Sequence, residues 1–282
     1  MSTALKSPPR STGSTGKKQM SLSDVTSKGN GLPSRVIVHG LEGIGKTSFP
    51  ANAPNPIYLQ ARGETGLETL IDSGRLVEVP HLPELQTYED LMSAIEMLTR
   101  EEHEYQTLVI DTVNGFERLC HEHVCRKLFN NDWSDKGFAG YGRGFEASLP
   151  TWTDFLSSLD RLRLEKSMGI IGLCHTKVKT FKNPEGPDYD RYTPDMHDKT
   201  WSLTLKWADI VLFANYETFT EKDGLRHKAT SGEQTRFLYS ERRAAFDAKN
   251  RHGLPFEISM GSSGKEAWSN FITAIKSGRV QG

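Results

Sequence analysis

Eight consecutive residues, Gly40-Leu-Glu-Gly-Ile-Gly-Lys-Thr47, restrict this chain more than any other feature in it. They satisfy G-x-x-x-x-G-K-[ST] at every fixed position. They follow Arg35-Val-Ile-Val-His39, a β-branched run with the composition of a buried strand. Glycines at these places permit a tight turn whose successive N–H groups converge on phosphate oxygens. Lys46 brings a mobile positive charge to the β- and γ-phosphates, and Thr47 offers a hydroxyl to Mg²⁺. The residues expected against a bound triphosphate, ATP or one like it, are Gly40, Leu41, Glu42, Gly43, Ile44, Gly45, Lys46, Thr47 and Ser48.

The rest of the chain alternates strand and helix patterns. Strands are expected at Pro56–Gln60, Arg75–Val79, Thr107–Asp111, Gly169–Cys174 and Trp207–Ala214, each a short apolar run. Thr87 followed by Asp90 resembles a capping box, and the helix it opens carries Leu91, Ile95 and Leu98 on one face. Phe116–Leu128 reads as a helix. So does a long stretch with Pro150 near its start and Trp152, Phe155, Leu156, Leu159 and Leu162 as its core stripe. Short β segments follow to about residue 259, then a helix near Lys265–Ile275. This alternation predicts an α/β fold, a mostly parallel twisted sheet flanked by helices, with ligands at the carboxyl ends of its strands.

With 282 residues and 36% hydrophobic content, one domain over 35–282 accounts for the core. Residues 1–34 are rich in Ser, Thr, Gly, Pro and Lys and too poor in apolar side chains to repay their ordering entropy, so a disordered arm is expected there. Lys6, Arg10, Lys17, Lys18 and Lys28 stand in it against Asp24. A solvated tail, an electrostatic contact to nucleic acid and a transit peptide all fit that charge. A net charge of −1 advertises no partner. Three cysteines, Cys120, Cys125 and Cys174, suit a reducing compartment better than a disulfide framework. No apolar run approaches the roughly 20 residues that cross a bilayer, so no membrane partner and a cytoplasmic location are expected.

Three further residues fall where the parallel sheet would bring them to the phosphates. Asp111 ends an apolar strand and has the position of an acid that, with Thr47, holds Mg²⁺. Glu64, just past the second strand, is placed to prepare an attacking water. His175 follows Gly169–Cys174 directly and is placed to sense the γ-phosphate. Cys120, His121, His123 and Cys125 crowd together, but only His121 and Cys125 share a helix face, so they are not read as a zinc site. Gly261-Ser-Ser-Gly-Lys265 reads as a turn and helix cap.

The order of these elements resembles a RecA-like P-loop NTPase core. Ala248-Lys-Asn-Arg-His-Gly-Leu-Pro255 resembles the K-x-R-x-G element of RecA-like and DnaB-like ATPases. That resemblance implies that Lys249 and Arg251 reach into the nucleotide of a neighbouring subunit, so a homo-oligomer with composite sites is expected. More closely, the chain is similar to phage-encoded RecA-core proteins of homologous recombination and single-strand annealing, which carry a Gly-Tyr-Gly-rich stretch like Gly137–Phe145. The resemblance covers about residues 35–260 and implies ATP hydrolysis with Mg²⁺, single-stranded DNA as partner and a host cytoplasmic setting. A single-strand-binding protein is a further possible partner. DNA would meet two loops, about residues 130–146 and 176–200. The first holds Phe138, Tyr141, Arg143 and Phe145; the second holds Lys177, Lys179, Lys182, Arg191 and Lys199 among four aspartates. A DnaB-like motor and a nucleotide-gated protein-interaction module are the alternatives.

Overall fold

Strand β1 (Arg35–Gly40) carries the glycine loop at its carboxyl end and sits inside an eight-stranded sheet. The computed structural model describes residues 31–217, 219–223, 226–230 and 235–278, so the arm expected over 1–34 lies outside them up to residue 30. The other strands that flank β1 on the two sides are β2 (Pro56–Gln60), β3 (Thr107–Asp111), β4 (Gly169–Cys174) and β7 (Ile210–Tyr216). Two further strands, β10 (Arg236–Tyr239) and β12 (Glu257–Ser259), extend the sheet to the order β12-β10-β7-β1-β4-β3-β2, and β11 (Lys249–Asn250) pairs separately with β7. From β7 to β2 the pairing is parallel; β10, β11 and β12 pair antiparallel. The sheet is thus mostly parallel with an antiparallel edge, and the carboxyl ends of β1, β2, β3, β4 and β7 all lie on one side.

Six helices are described: α1 (Gly66–Asp72), α2 (Tyr88–Arg100), α3 (Val113–Phe129), α4 (Arg143–Lys166), α5 (Asp198–Trp207) and α6 (Gly264–Gly278). Helices α2, α3, α4 and α5 bury one sheet face, with Leu91, Phe116, Trp152, Phe155 and Trp201 against Ile37, Leu59 and Ile170. On the other face Phe271 of α6, Leu67 of α1 and Phe49 pack on Val36, Val38, Tyr58 and Leu212. Central strands covered on both faces must be apolar throughout, which is why β3 and β4 read as continuous hydrophobic runs. The capping box at Thr87 and Asp90 is formed in both directions. No described helix is long and apolar enough to cross a membrane.

The structure corrects four expectations. Arg75–Val79 is not a strand, and Val77 is 84% exposed. The chain instead runs along β2 a little later, with Tyr58 bonded to Pro80 and Leu82, and Gln60 to Leu85. Pro80 and Pro83 lack the N–H groups a continuous ladder needs. Trp207 closes α5 rather than opening a strand. Pro150 lies inside α4, which starts earlier at Arg143 after the left-handed Gly142. The expected loop over 176–200 is a β-hairpin, β5 (Thr176–Phe181) with β6 (Tyr189–Pro194), followed by the start of α5. A second hairpin pairs β8 (Phe219–Asp223) with β9 (Arg226–Thr230).

Candidate nucleotide site

The phosphate loop owes its shape to three glycines. Gly40 lies so close to β7 that an added Cβ would sit 2.2 Å from the Ala214 carbonyl oxygen. Gly43 and Gly45 take φ of 71° and 103°, the left-handed region that other residues enter at a cost. After the loop, Phe49 N–H bonds back to Gly45, and the chain passes into a 3-10 turn at Pro50–Asn52. Pro50 cannot supply the N–H that would extend an α-helix from the loop. The loop's own positive potential therefore comes from its amides and Lys46, not from a long helix dipole.

Lys46 is buried, and its Nζ donates to the carbonyl oxygens of Gly40 at 2.9 Å and Leu41 at 2.7 Å. Burial pulls the ammonium below its usual range, and the charge of Asp111 pulls the other way. Thr47 Oγ1 donates to Asp111 Oδ2 at 3.2 Å, while its backbone carbonyl accepts from the buried Tyr58 hydroxyl at 2.8 Å. Because β4 lies between β1 and β3, Asp111 stands one strand removed from the loop strand, facing the Thr47 hydroxyl. Burial, reinforced by the charge of Glu64, raises the Asp111 carboxyl to about 6. A hydroxyl and a buried carboxylate side by side are hard oxygen donors of the kind Mg²⁺ takes alongside phosphate oxygens. They fit that ion.

Glu64 enters from the turn after β2. Its backbone N–H bonds to Ala61, and its carbonyl accepts from Gln60 Nε2 at 2.8 Å. The carboxylate is held from two sides: Thr112 Oγ1 donates to Oε1 at 2.8 Å, and His175 Nε2 lies 3.4 Å from Oε2. Burial pushes this carboxyl up, but the bonds from His175 and Thr112 outweigh burial and leave it below the ordinary value. The same contact raises His175, against its own burial. Helix α3 comes close enough because residue 115 is glycine; a Cβ there would meet Ala61 Cβ at 2.6 Å. His175 N–H donates to Asn114 Oδ1 at 3.0 Å, so the strand end carrying the histidine is tied to the same helix.

These groups line one cavity of about 460 Å³, shared by Gly43, Gly45, Lys46, Thr47, Ser48, Glu64, Asp111 and His175. Glu42 lines it as well, while Gly40, Leu41 and Ile44 form the loop behind it. Three more residues belong to the site and were not foreseen. Thr112 orients Glu64; its neighbour Asp111 gave a hint of it, since Thr112 also caps α3 through Gly115 N–H. Arg75 and Arg236 line the cavity too, and no motif in the sequence marks either.

Lys249 and Arg251 lie elsewhere. They sit on and just after β11, against the amino end of β7, opposite the glycine loop. Lys249 Nζ donates to the carbonyls of Leu205, Lys206 and Ala208 at the end of α5, and Arg251 approaches Asp209 at 3.8 Å. Within one chain they do not meet the nucleotide cavity.

The two segments expected to meet DNA are well folded. Phe138 is fully buried against Phe129, Trp133 and Phe145, and Gly144 is glycine because the Phe138 ring occupies the space of a Cβ. Arg143 donates to the carbonyls of Lys136, Gly137 and Gly140, while Tyr141 points fully into solvent. In the hairpin segment Lys177 pairs with Asp195, Lys179 with Asp198, Lys182 with Asp188, Arg191 with Asp247 and Lys199 with Glu146.

The family model described as an AAA domain matches residues 32–252. No curated protein matches the chain. The match spans most of the chain and all of β1, the glycine loop, Glu64, Asp111 and His175, so the chain belongs to the AAA domain family and is an AAA-type P-loop nucleoside triphosphatase.

Proposed function

We propose that the chain hydrolyses ATP with Mg²⁺ and, as a homo-oligomer, acts on single-stranded DNA in recombination or annealing. The observation that carries hydrolysis is the Glu64 carboxylate, held by Thr112 and His175 at the cavity shared with Lys46, Thr47 and Asp111. A carboxylate fixed at both oxygens accepts a hydrogen bond from water in one orientation and draws its proton as attack proceeds. Lys46 offsets charge on the transferred phosphoryl group, and the loop amides hold the rest of the polyphosphate. Thr47 and Asp111 would hold Mg²⁺, which neutralises phosphate charge when bound. His175, bonded to Glu64 and followed at once by β5, links the reacting end of the cavity to the hairpin.

Support for DNA and for a shared site is the resemblance together with placement. Lys249 and Arg251 lie away from their own cavity, as residues acting on a neighbour's nucleotide must. Tyr141 is free to stack on a base. One observation favours the interaction-module alternative: the hairpin's cations are each paired with a carboxylate of the same chain.

Glu64→Gln separates the readings. Turnover is expected to fall ~10²–10⁴-fold, the usual contribution of a positioned base, with calorimetric affinity for Mg·ATP retained. Unchanged turnover overturns hydrolysis by Glu64 and favours the module. Fluorescence anisotropy of a labelled oligonucleotide, with and without a non-hydrolysable analogue, tests the DNA reading; no salt-sensitive binding in either condition removes it.

A further inference from the structure

The cavity holds a cation that neither the motif nor the family resemblance assigns. Strand β10 runs antiparallel to β7, with Arg236 opposite Tyr216, the last residue of β7. That reversal brings the first residue of β10 to the end of the sheet where β1 delivers the phosphate loop. The Arg236 guanidinium then bridges two loops. Nη1 donates to the Ile44 carbonyl at 3.2 Å, and Nη2 donates to the Gly261 carbonyl at 2.8 Å, in the turn between β12 and α6. The backbone repeats the tie, since Met260 N–H bonds to the Arg236 carbonyl at 2.8 Å.

Two features exceed what a brace requires. A guanidinium has five N–H donors, and these two carbonyls take two of them. No carboxylate among the described residues lies within ion-pair distance of Arg236, in contrast to the paired cations of the hairpin, and Glu266, the carboxylate its charge does reach, is bonded to Ser262 instead. Nη1 also lies 3.0 Å from the position a Cβ would take on Gly45, so the charge rests against the main chain whose amides face phosphate. Substituting any larger residue at 45 would push the guanidinium away.

Building on the ATPase reading above, the geometry points to Arg236 as a second phosphate-binding cation, acting in cis on the non-reacting phosphates of the nucleotide. The reacting end of the cavity is marked by Glu64, His175 and the Thr47–Asp111 pair. Arg236 approaches from the opposite side of the loop, at Ile44 and Gly45, and is bonded to neither Glu64 nor Asp111. It therefore binds what a diphosphate and a triphosphate share. Lys46 serves the transferred group; Arg236 anchors the part that stays.

The test uses the full chain and compares wild type with Arg236→Ala and Arg236→Lys by calorimetry, with Mg·ADP and with a non-hydrolysable Mg·ATP analogue. Loss of charge-assisted hydrogen bonds predicts ~10–100-fold weaker binding of both nucleotides in Arg236→Ala. KM for ATP rises by the same factor while kcat at saturation stays within about threefold, because the phosphoryl end is untouched. Arg236→Lys keeps the charge without the fork and recovers part of the affinity. Thermal melting of each variant without nucleotide reports the brace separately. Loss confined to the triphosphate overturns the assignment by moving Arg236 to the reacting end. Unchanged affinity for both nucleotides overturns it outright, whatever happens to the melting temperature. If Arg236→Ala does not fold, Arg236→Lys decides alone: wild-type affinity for both nucleotides with a shifted melting temperature leaves only the brace. A wild-type protein that binds neither nucleotide defeats the ATPase reading instead, so the two failures are distinguishable.

Discussion

The glycine loop and the β5–β6 hairpin both carry cations at the carboxyl end of the sheet, and they treat them oppositely. Lys46 and Arg236 are held by backbone carbonyls, neutral acceptors that leave neither cation bonded to a carboxylate, although Asp111 acts on Lys46 and Glu266 lies within reach of the Arg236 charge. Lys179 and Lys182 are held by Asp198 and Asp188, which spend the lysine charge inside the chain. A carbonyl orients a cation, whereas a carboxylate orients and neutralises it. The first arrangement makes a site for phosphate whatever the net charge of the protein. The second makes a surface whose affinity for an anion depends on how cheaply its ion pairs open.

The largest effect should come from making one substitution in both regions. Lys46→Ala is expected to weaken Mg·ATP binding by ~100-fold, because it removes the buried charge-assisted donor of the loop itself, and Arg236 is placed to serve the other phosphates. Lys182→Ala, whose partner Asp188 is half exposed, is expected to leave nucleotide affinity unchanged and the melting temperature nearly so, as surface pairs contribute ~0–1 kcal/mol. Calorimetry on the two variants measures the contrast directly. Equal affinities would mean that the loop lysine has no privileged access to phosphate, and the comparison would fail.

A second effect, on stability instead of binding, lies at the joint between the regions. Glu117 of α3 accepts the His197 N–H with both carboxyl oxygens and the Thr200 hydroxyl, so the chain leaving the hairpin hangs on a buried acid. Burial raises this carboxyl to about 7, against the bonds from Thr200 and His197. Its folded value lies above its unfolded one, so its contribution to stability is fully present below about 4.5 and is lost as pH rises through about 7. The free energy of unfolding of wild type relative to Glu117→Gln should therefore fall across that window by on the order of 3 kcal/mol. Chemical denaturation at a series of pH values gives the difference; a flat difference would show that Glu117 is not buried in solution as it is here.

The two regions also differ in how far the sequence revealed them. The loop was legible because its chemistry demands a backbone shape, and only glycines at fixed spacing allow that shape; Gly43 and Gly45 at positive φ are that demand made visible. Asp111, Glu64 and His175 were legible by position, since parallel strands deliver their carboxyl ends to one side. Arg236 was not, because the antiparallel turn that brings it to Ile44 is set by contacts about 190 residues apart in sequence. Nor was the hairpin: β5 and β6 form a two-stranded sheet of their own, and aspartates scattered among the cations of that segment are the partners that hold its lysines. Spacing reveals local geometry, whereas charge counts do not say which charges pair.

The smallest expected effect bears on the hairpin itself. If single-stranded DNA binds there, phosphates must compete with Asp188 and Asp198 for the same lysines. Asp188→Asn with Asp198→Asn removes the competitors and leaves Lys179 and Lys182 in place. It also spares Arg191–Asp247, a buried pair whose breakage would destabilise the fold by ~3–5 kcal/mol. The double variant is expected to fold with stability within ~0.5 kcal/mol of wild type, as for other exposed substitutions. Oligonucleotide affinity should rise several-fold, and the slope of log affinity against log salt should steepen by ~0.7 for each phosphate newly neutralised. Anisotropy titrations at three salt concentrations measure both quantities. If affinity and slope both stay at wild-type values, the hairpin's cations serve their own aspartates alone, and Tyr141 and the loop around it become the surface where a strand must be sought.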